Sequence, residues 1–251
     1  GAFPAALARL RALLDDARLY GRQRAAFDRR QLRELDASRA DLETLLEVLA
    51  RRLPLVVRVG RAAHILRVLA LAPAYGVRLV LEGAEEGWRV ADALAEAEVP
   101  VILRPLTNLP ESFDRIGSRY DNAALLAAAG VPLILTTGGA HDLRNVRQEA
   151  GNAGRVGLDA DAALAAGTAT PALVFGAPDR GVLAPGRVAN VVVWSGDPFE
   201  LGSRPLHIFV RGVEVPLRSR QTALFERYRD LSTVRTGFPG RETLEPAPPA
   251  E

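Results

Sequence analysis

The sequence predicts an α/β fold in which strands and helices alternate along the chain. Four short apolar runs resemble buried parallel strands, and each is followed by apolar residues at helical spacing. The predicted strands are residues 55–59, 77–81, 99–103 and 131–135. The helical segments are residues 62–74, 85–97, about 120–129 and one that begins near Leu143. Such alternation forms parallel βαβ units, and because a closed (β/α)8 barrel of the TIM type needs eight of them, these four predict half a barrel.

Residues 1–52 precede the first predicted strand and read as helices. Apolar residues recur at helical spacing in residues 3–14 and again in residues 42–49, where Ser38 or Asp41 is the predicted cap. Residues 22–33 between them are densely charged, which is typical of a solvated helical face. We therefore expect a helical segment ahead of the barrel.

The composition is that of a globular protein and excludes several classes. Hydrophobic residues make up 48% of the chain and charged residues 25%, so a sizeable core can form. The chain has 32 basic residues, all arginine, and 30 acidic ones. The high isoelectric point follows from the arginine content and does not indicate a nucleic-acid-binding surface. The absence of cysteine excludes disulfides and thiolate metal sites. No apolar run approaches the roughly 18 residues that a membrane span requires.

The segment best suited to chemistry is residues 133–158. An apolar strand there leads into a polar turn, Thr136 to Asp142, and helical spacing resumes at Leu143. In a β/α barrel the loops after the strands build the active site, so functional side chains are expected in this turn.

The same segment carries a resemblance to a known family. Residues 136–150 (TTGGAHDLRNVRQEA), 157–164 (GLDADAAL) and 168–172 (TATPA) resemble the last barrel strand and following helices of the amidohydrolase superfamily, particularly its imidazolonepropionase-like branch. Residues 181–199 resemble the start of that family's small β-sandwich. The resemblance covers the C-terminal half of the family. It implies four parts: a helical segment at 1–52, the C-terminal half of the barrel at 53–180, β-sandwich strands at 181–216, and a C-terminal helix and tail at 217–251.

The resemblance also implies a metal site that this chain has lost. Family members hold one or two divalent metals through histidines after the fifth and sixth strands and use an aspartate after the eighth as the base. Here Arg58 and Gly60 stand at the fifth strand, Gly83 at the sixth and Gly138 at the eighth. Arginine has no lone pair to donate, and glycine has no side chain. We therefore expect no catalytic residue, no metal and no cofactor: a pseudoenzyme that serves as a structural or regulatory partner of a related subunit.

Two alternatives stay open. The first is an active hydrolase of non-peptide or peptide carbon–nitrogen bonds, whose zinc site is completed outside this chain. The second is a small-molecule anion binder at the barrel mouth, because arginines there can bind a carboxylate or phosphate. The candidate mouth residues are Arg58, Arg61, Glu82, Arg104, Thr107, Asn108, Thr136, Thr137, His141, Asp142, Arg144 and Asn145. A structural reading is that Arg58 simply pairs with Glu82. The remaining histidines, His64 and His207, are expected to be structural.

Half a parallel barrel exposes an edge strand and an apolar flank. We therefore expect a missing N-terminal half or a second chain to complete the barrel and the sandwich, in a homo- or hetero-oligomer. The chain begins without methionine or a signal peptide, so its start looks processed or truncated. By analogy with exported relatives, a periplasmic or secreted location is expected, with the cytoplasm as the alternative.

Overall fold

The computed structural model describes residues 3–107, residue 110 and residues 112–229. The α-helices are α1 (Phe3–Arg22), α2 (Arg24–Asp28), α3 (Arg39–Leu49), α4 (Ala62–Leu69), α5 (Leu71–Tyr75), α6 (Ala91–Glu96), α7 (Asn122–Ala128), α8 (Val146–Arg155), α9 (Ala160–Gly167), α10 (Ala169–Val174) and α11 (Arg220–Tyr228). The strands are β1 (Leu55–Val59), β2 (Leu79–Gly83), β3 (Val101–Leu103), β4 (Leu133–Leu135), β5 (Val191–Trp194), β6 (Pro205–Val210) and β7 (Val213–Val215). Short 3-10 turns cover Gly87–Val90, Pro105–Thr107, Phe113–Arg115 and Ala140–Asn145.

The first four strands form a parallel sheet in the order β1-β2-β3-β4, with helices between them. Consecutive strands are neighbours, which is the arrangement of a TIM-like barrel and confirms the predicted α/β fold with about four βα units. Among the described strands, β1 and β4 each have one neighbour. The sheet is therefore open along both edges within this part of the chain.

The two faces of this sheet have different partners. Alternate side chains such as Leu81, Val101 and Leu133 pack outward against the helices in the main hydrophobic core. The opposite side chains, Val80, Ile102 and Ile134, form a smaller inner cluster with Val174 of α10. At the edge, Val56 on the same inner face as Val80 is 42% exposed. The outer layer of the half barrel is thus complete, whereas its inner layer is covered in part.

The N-terminal helices have an apolar cluster of their own, and the start of α1 also packs on the main core through Phe3, Leu7 and Leu10. Ser38 caps α3 in a capping box with Asp41, as the sequence predicted. Tyr20 of α1 is fully buried against Leu42 of α3, and its hydroxyl donates to Glu43 at 2.5 Å. Burial of these apolar side chains fixes the helix pair ahead of β1.

The C-terminal strands form a three-stranded antiparallel sheet, β5-β6-β7. The sequence predicted sandwich strands within residues 181–216 but not the turn that separates the last two of them. Arg211 and Gly212 have φ values of 52° and 79°, the left-handed pair that a tight hairpin turn requires, so the segment splits into β6 and β7. His207 lies on β6, and its Nδ1 is 2.7 Å from Glu214 Oε1 on β7.

Arg147 of α8 links the half barrel to the chain that leads into this sheet. Its Nη1 donates to the carbonyl oxygen of Ser203 at 2.8 Å, and its guanidinium lies 5.1 Å from the ring centroid of Trp194. Longer contacts reach the carbonyl oxygens of Pro198 and Glu200 at 3.4 and 3.5 Å.

None of the described helices is long and apolar enough to cross a membrane.

Several predicted boundaries move by a few residues. The second strand begins at Leu79 rather than at residue 77, and the predicted helix at 62–74 is two helices, with Pro73 inside α5. Residues 85–97 were predicted as one helix, but Glu85 and Glu86 lie in a turn before the 3-10 segment. These two acids are therefore not in the first turn of a helix, as the predicted bounds would have placed them.

Candidate functional site

A cavity of about 60 Å³ opens at the carboxyl ends of the four parallel strands. We call it the mouth cavity. Its lining residues are Arg58, Glu82, Gly83, Glu85, Ile102, Leu103, Arg104, Pro105, Thr107, Arg115, Ala123 and Thr136. In TIM-like barrels this end of the sheet carries the functional side chains. Five of the predicted mouth residues line the cavity: Arg58, Glu82, Arg104, Thr107 and Thr136.

Arg58 and Glu82 form an ion pair across the first two strands. They are register partners on β1 and β2, and Arg58 Nη2 lies 2.5 Å from Glu82 Oε1. The Glu82 carboxylate, which is 27% exposed, holds the pKa of the Arg58 guanidinium above its ordinary value by accepting this hydrogen bond. The structure thus agrees with the pairing that the sequence suggested for these two residues.

A second ion pair, between Glu85 and Arg115, was missed from the sequence. Glu85 Oε1 lies 3.0 Å from Arg115 Nε, and the Glu85 side chain is only 12% exposed. The sharp bend after β2 brings Glu85 into the cavity: Gly83 has φ +97°, and a Cβ atom there would lie 3.0 Å from Glu85 Oε2. The neighbouring Glu86 instead accepts the backbone N–H of Ala62 at 3.0 Å. The two adjacent glutamates therefore have different tasks.

A buried amide fixes this bend. Asn122 at the start of α7 donates to the carbonyl oxygen of Ala84 at 2.9 Å and accepts the N–H of Trp88 at the same distance. Ala84 has a φ of 43°, which is uncommon outside glycine. Asn122 therefore stabilises the backbone that presents Glu85 to the cavity.

Arg104 follows β3 and lies against the turn after β4. A Cβ atom at Gly138 would be 2.7 Å from Arg104 Nη1, and Gly138 has φ +80°. The backbone conformation favours glycine at position 138, and any side chain there would displace the Arg104 guanidinium. Among the described residues, Arg104 has no side-chain hydrogen bond or ion pair, and its electrostatic partner is the carboxylate of Glu149.

Glu149 is a buried carboxylate that the sequence analysis did not single out. Its Oε2 accepts the backbone N–H of Leu106 at 2.7 Å, which fixes the loop after β3. Burial raises the pKa of Glu149, while the Leu106 hydrogen bond and the charge of Arg104 act in the opposite direction. One sequence signal could have indicated this buried carboxylate. Glu149 shares a helix face with the small residues Ala150 and Ala153, where a charged residue is unusual.

The other predicted mouth residues do not line the cavity. His141 is 84% exposed, and its Nε2 lies 2.9 Å from Asp142 Oδ2. Thr137 donates to the carbonyl oxygen of Gly139 at 3.2 Å. The remaining ones are Arg61 at the start of α4, Arg144 and Asn145 in the 3-10 turn before α8, and Asn108, which lies outside the described residues.

The side chains that could act as metal ligands are poorly placed for a divalent cation. Among the described residues, no group of three or more histidine, cysteine, aspartate or glutamate side chains could hold an ion. His64 is stacked on Phe3 at 3.9 Å between ring centroids, and His207 pairs with Glu214 on the small sheet. The two carboxylates of the mouth cavity already face guanidinium groups. This set of side chains does not fit a divalent cation by itself.

Comparison with known proteins decides the family. The model of the amidohydrolase family matches residues 27–235. The chain belongs to the amidohydrolase family. The chain is 26% identical to an amidohydrolase from Thermotoga maritima MSB8, with a TM-score of 0.73 over 84% of this chain and 56% of that one. It therefore spans little more than half the length of that relative.

Other solved structures resemble this chain in fold. One titled an amidohydrolase is 21% identical, with a TM-score of 0.52 over 73% of this chain and 50% of that one. A prolidase solved with N-methylphosphonate-L-proline is 20% identical, with a TM-score of 0.52 over 72% of this chain and 50% of that one. No functionally curated protein matches the chain significantly.

Proposed function

We propose that this amidohydrolase, of the imidazolonepropionase-like branch, has lost metal-assisted hydrolysis and acts as a structural or regulatory partner. The observation that carries the proposal is the Arg58–Glu82 ion pair at the strand ends. A guanidinium stays protonated and offers no lone pair, so it repels a divalent cation where a ligand would be needed. Binding of zinc or another cofactor is not part of this proposal.

The glycines at the neighbouring strand ends support the same conclusion. Gly138 has a positive φ, which favours glycine, and the Arg104 guanidinium occupies the space that a side chain there would enter. Gly83 also has a positive φ, and Glu85 lies within van der Waals distance of the space that its side chain would fill. Together these positions supply neither the imidazole ligand nor the aspartate that the family resemblance implies at these strand ends, and the two carboxylates of the cavity are paired with arginines.

The partner in this proposal is a second half barrel, supplied by the same gene product or by another chain. Its support is the partly exposed inner face at Val56, together with the open edges of β1 and β4 among the described strands. The small sheet also presents exposed apolar side chains at Val192, Leu206 and Val213. We also propose that the protein forms an oligomer and that it is located in the periplasm or outside the cell.

Metal analysis of the purified protein, with any partner that accompanies it, tests the proposal. We expect zinc well below one equivalent per chain and no hydrolysis of carbon–nitrogen bonds that depends on this subunit. One equivalent of zinc that is lost in Glu82→Gln but kept in Glu96→Gln, an exposed control on α6, would contradict it. Light scattering should give a molar mass above that of one chain, and a monodisperse monomer would contradict the partner role.

The alternative is an active hydrolase of carbon–nitrogen bonds whose metal is held by residues outside this chain. The similarity to the Thermotoga amidohydrolase favours it, because this chain corresponds to only 56% of that protein. The same measurement separates the two proposals, since the alternative requires stoichiometric metal and metal-dependent turnover in the complete assembly.

A further inference from the structure

We propose that the mouth cavity binds a small oxyanion, a single carboxylate or phosphate group, through Arg104. Within the part of the chain that the structure describes, three guanidinium groups and two carboxylates line the cavity. Arg58 pairs with Glu82 and Arg115 with Glu85, so the two carboxylates are already matched. Arg104 has no ion pair among the described residues, although the buried carboxylate of Glu149 attracts it electrostatically. An anion is the ligand that this arrangement of charges complements.

The size of the cavity sets the size of the ligand. Its volume is about 60 Å³, several times the roughly 10–15 Å³ that one water molecule needs by the same measure. One carboxylate or phosphate group fits this space, whereas a nucleotide or a peptide segment is far too large for it. A larger ligand would therefore insert only its acidic group.

A hydroxyl donor lies in the same lining. The Oγ1 of Thr136 accepts the backbone N–H of Gly138 at 3.2 Å, so its proton remains available to an incoming oxygen atom. Arg104 and Thr136 follow the neighbouring strands β3 and β4, which places both donors at one side of the cavity. A forked guanidinium with an adjacent hydroxyl is a recurrent arrangement for recognising oxyanions.

The backbone that carries Arg104 is fixed before any ligand arrives. Thr107 donates both its N–H and its hydroxyl to the carbonyl oxygen of Arg104, at 3.1 and 3.2 Å. Glu149 accepts the N–H of Leu106 in the same loop, whereas the Arg104 side chain itself is exposed beside Gly138. With the backbone already fixed, the side chain is the part of Arg104 that loses conformational freedom on binding, which favours affinity for a small ligand.

Titration of the purified protein with inorganic phosphate and, separately, with acetate tests this proposal. Calorimetry or chemical-shift titration is run at constant ionic strength, with chloride as the balancing anion. We expect saturable binding of at least one of the two anions, and their relative affinities then distinguish a phosphate site from a carboxylate site. Arg104→Gln should lower the affinity at least about tenfold, because a charge-assisted bidentate contact is removed.

Arg67→Gln is the matched control, because Arg67 is an exposed arginine on α4 outside the cavity. It should keep the wild-type affinity. Wild-type binding by Arg104→Gln, an equal loss in Arg67→Gln, or no saturable binding of either anion would overturn the proposal. If Arg104→Gln does not fold, Thr136→Val is measured instead: a loss of about threefold or more is expected from removing one donor, and unchanged affinity overturns the proposal.

Discussion

Arg104 and Gly138 are matched to each other across the ends of β3 and β4. The guanidinium of Arg104 fills the space beside the Gly138 Cα, where a Cβ atom would come to 2.7 Å from Nη1. The positive φ of Gly138 adds a second constraint on the same residue. A change at either position therefore acts on the other, and this coupling can be measured.

Gly138→Ala should destabilise the protein by about 1–3 kcal/mol, because an L-residue is strained at this φ and its Cβ collides with Arg104. The free energy of unfolding in urea is the measurement. Gly154→Ala on α8 is the control: nothing lies within 4 Å of its added Cβ, and alanine favours the helix, so stability should stay equal or rise. Part of the Gly138→Ala loss should be recovered in the Arg104→Ala background, and purely additive effects would contradict the coupling.

Glu149→Gln should leave the protein equally stable or more stable at neutral pH. The amide oxygen can still accept the Leu106 N–H, and the cost of burying a charge is removed. Because the folded-state pKa of Glu149 is raised, its protonation favours the folded state: the contribution is present below the unfolded pKa and is lost as pH rises through the folded pKa. The advantage of Glu149→Gln over wild type should therefore shrink as the pH falls through the carboxyl range.

Unfolding curves of Glu149→Gln and wild type from acidic to neutral pH check this sign. Glu149→Ala is the contrasting variant, since it leaves the Leu106 N–H without an acceptor and should cost about 1–3 kcal/mol. A stability difference between Glu149→Gln and wild type that grows toward acidic pH would contradict the raised pKa.

Arg147→Ala should release the loop at residues 195–204 from α8. The guanidinium loses its hydrogen bond to the Ser203 carbonyl and its contact with Trp194, and a hydrogen bond from a charged donor contributes about 1.5–3 kcal/mol. Faster proteolysis and faster amide hydrogen exchange in this loop are the readouts. Arg155→Ala removes only a surface pair with Glu200 from the same helix and should cost less than about 1 kcal/mol. Equal effects of the two variants would rule out this role for Arg147.

Asn122→Ala should destabilise the protein by about 2–4 kcal/mol, because the Ala84 carbonyl and the Trp88 N–H both lose their buried partner. Asn122→Asp keeps the shape and the acceptor for Trp88 but places an oxygen against the Ala84 carbonyl, so it should also destabilise. Thermal unfolding measures both. A wild-type melting temperature for Asn122→Asp would show that the Ala84 contact contributes little.

The sequence predicts the features that follow from the spacing of apolar residues and from the positions of the strand ends. Arg58 and Glu82 end adjacent parallel strands, so their proximity follows from topology alone. The Glu85–Arg115 pair was missed because it depends on the left-handed backbone at Gly83 and Ala84, which residue spacing does not reveal. Glu149 escaped notice for a related reason, since its acceptor role depends on a long-range contact with the loop after β3. The hairpin at Arg211 was missed because an arginine is an unusual residue at a positive φ.

The register of the parallel sheet makes the two ends of its inner face chemically different. Arg58, Glu82, Ile102 and Ile134 are successive partners in one row across β1 to β4. The row is ionic on the β1 side and aliphatic on the β4 side. Any surface that packs against this row must offer polar groups at one end and apolar groups at the other. A partner that packed in the reverse orientation would bury the Arg58–Glu82 pair against apolar groups.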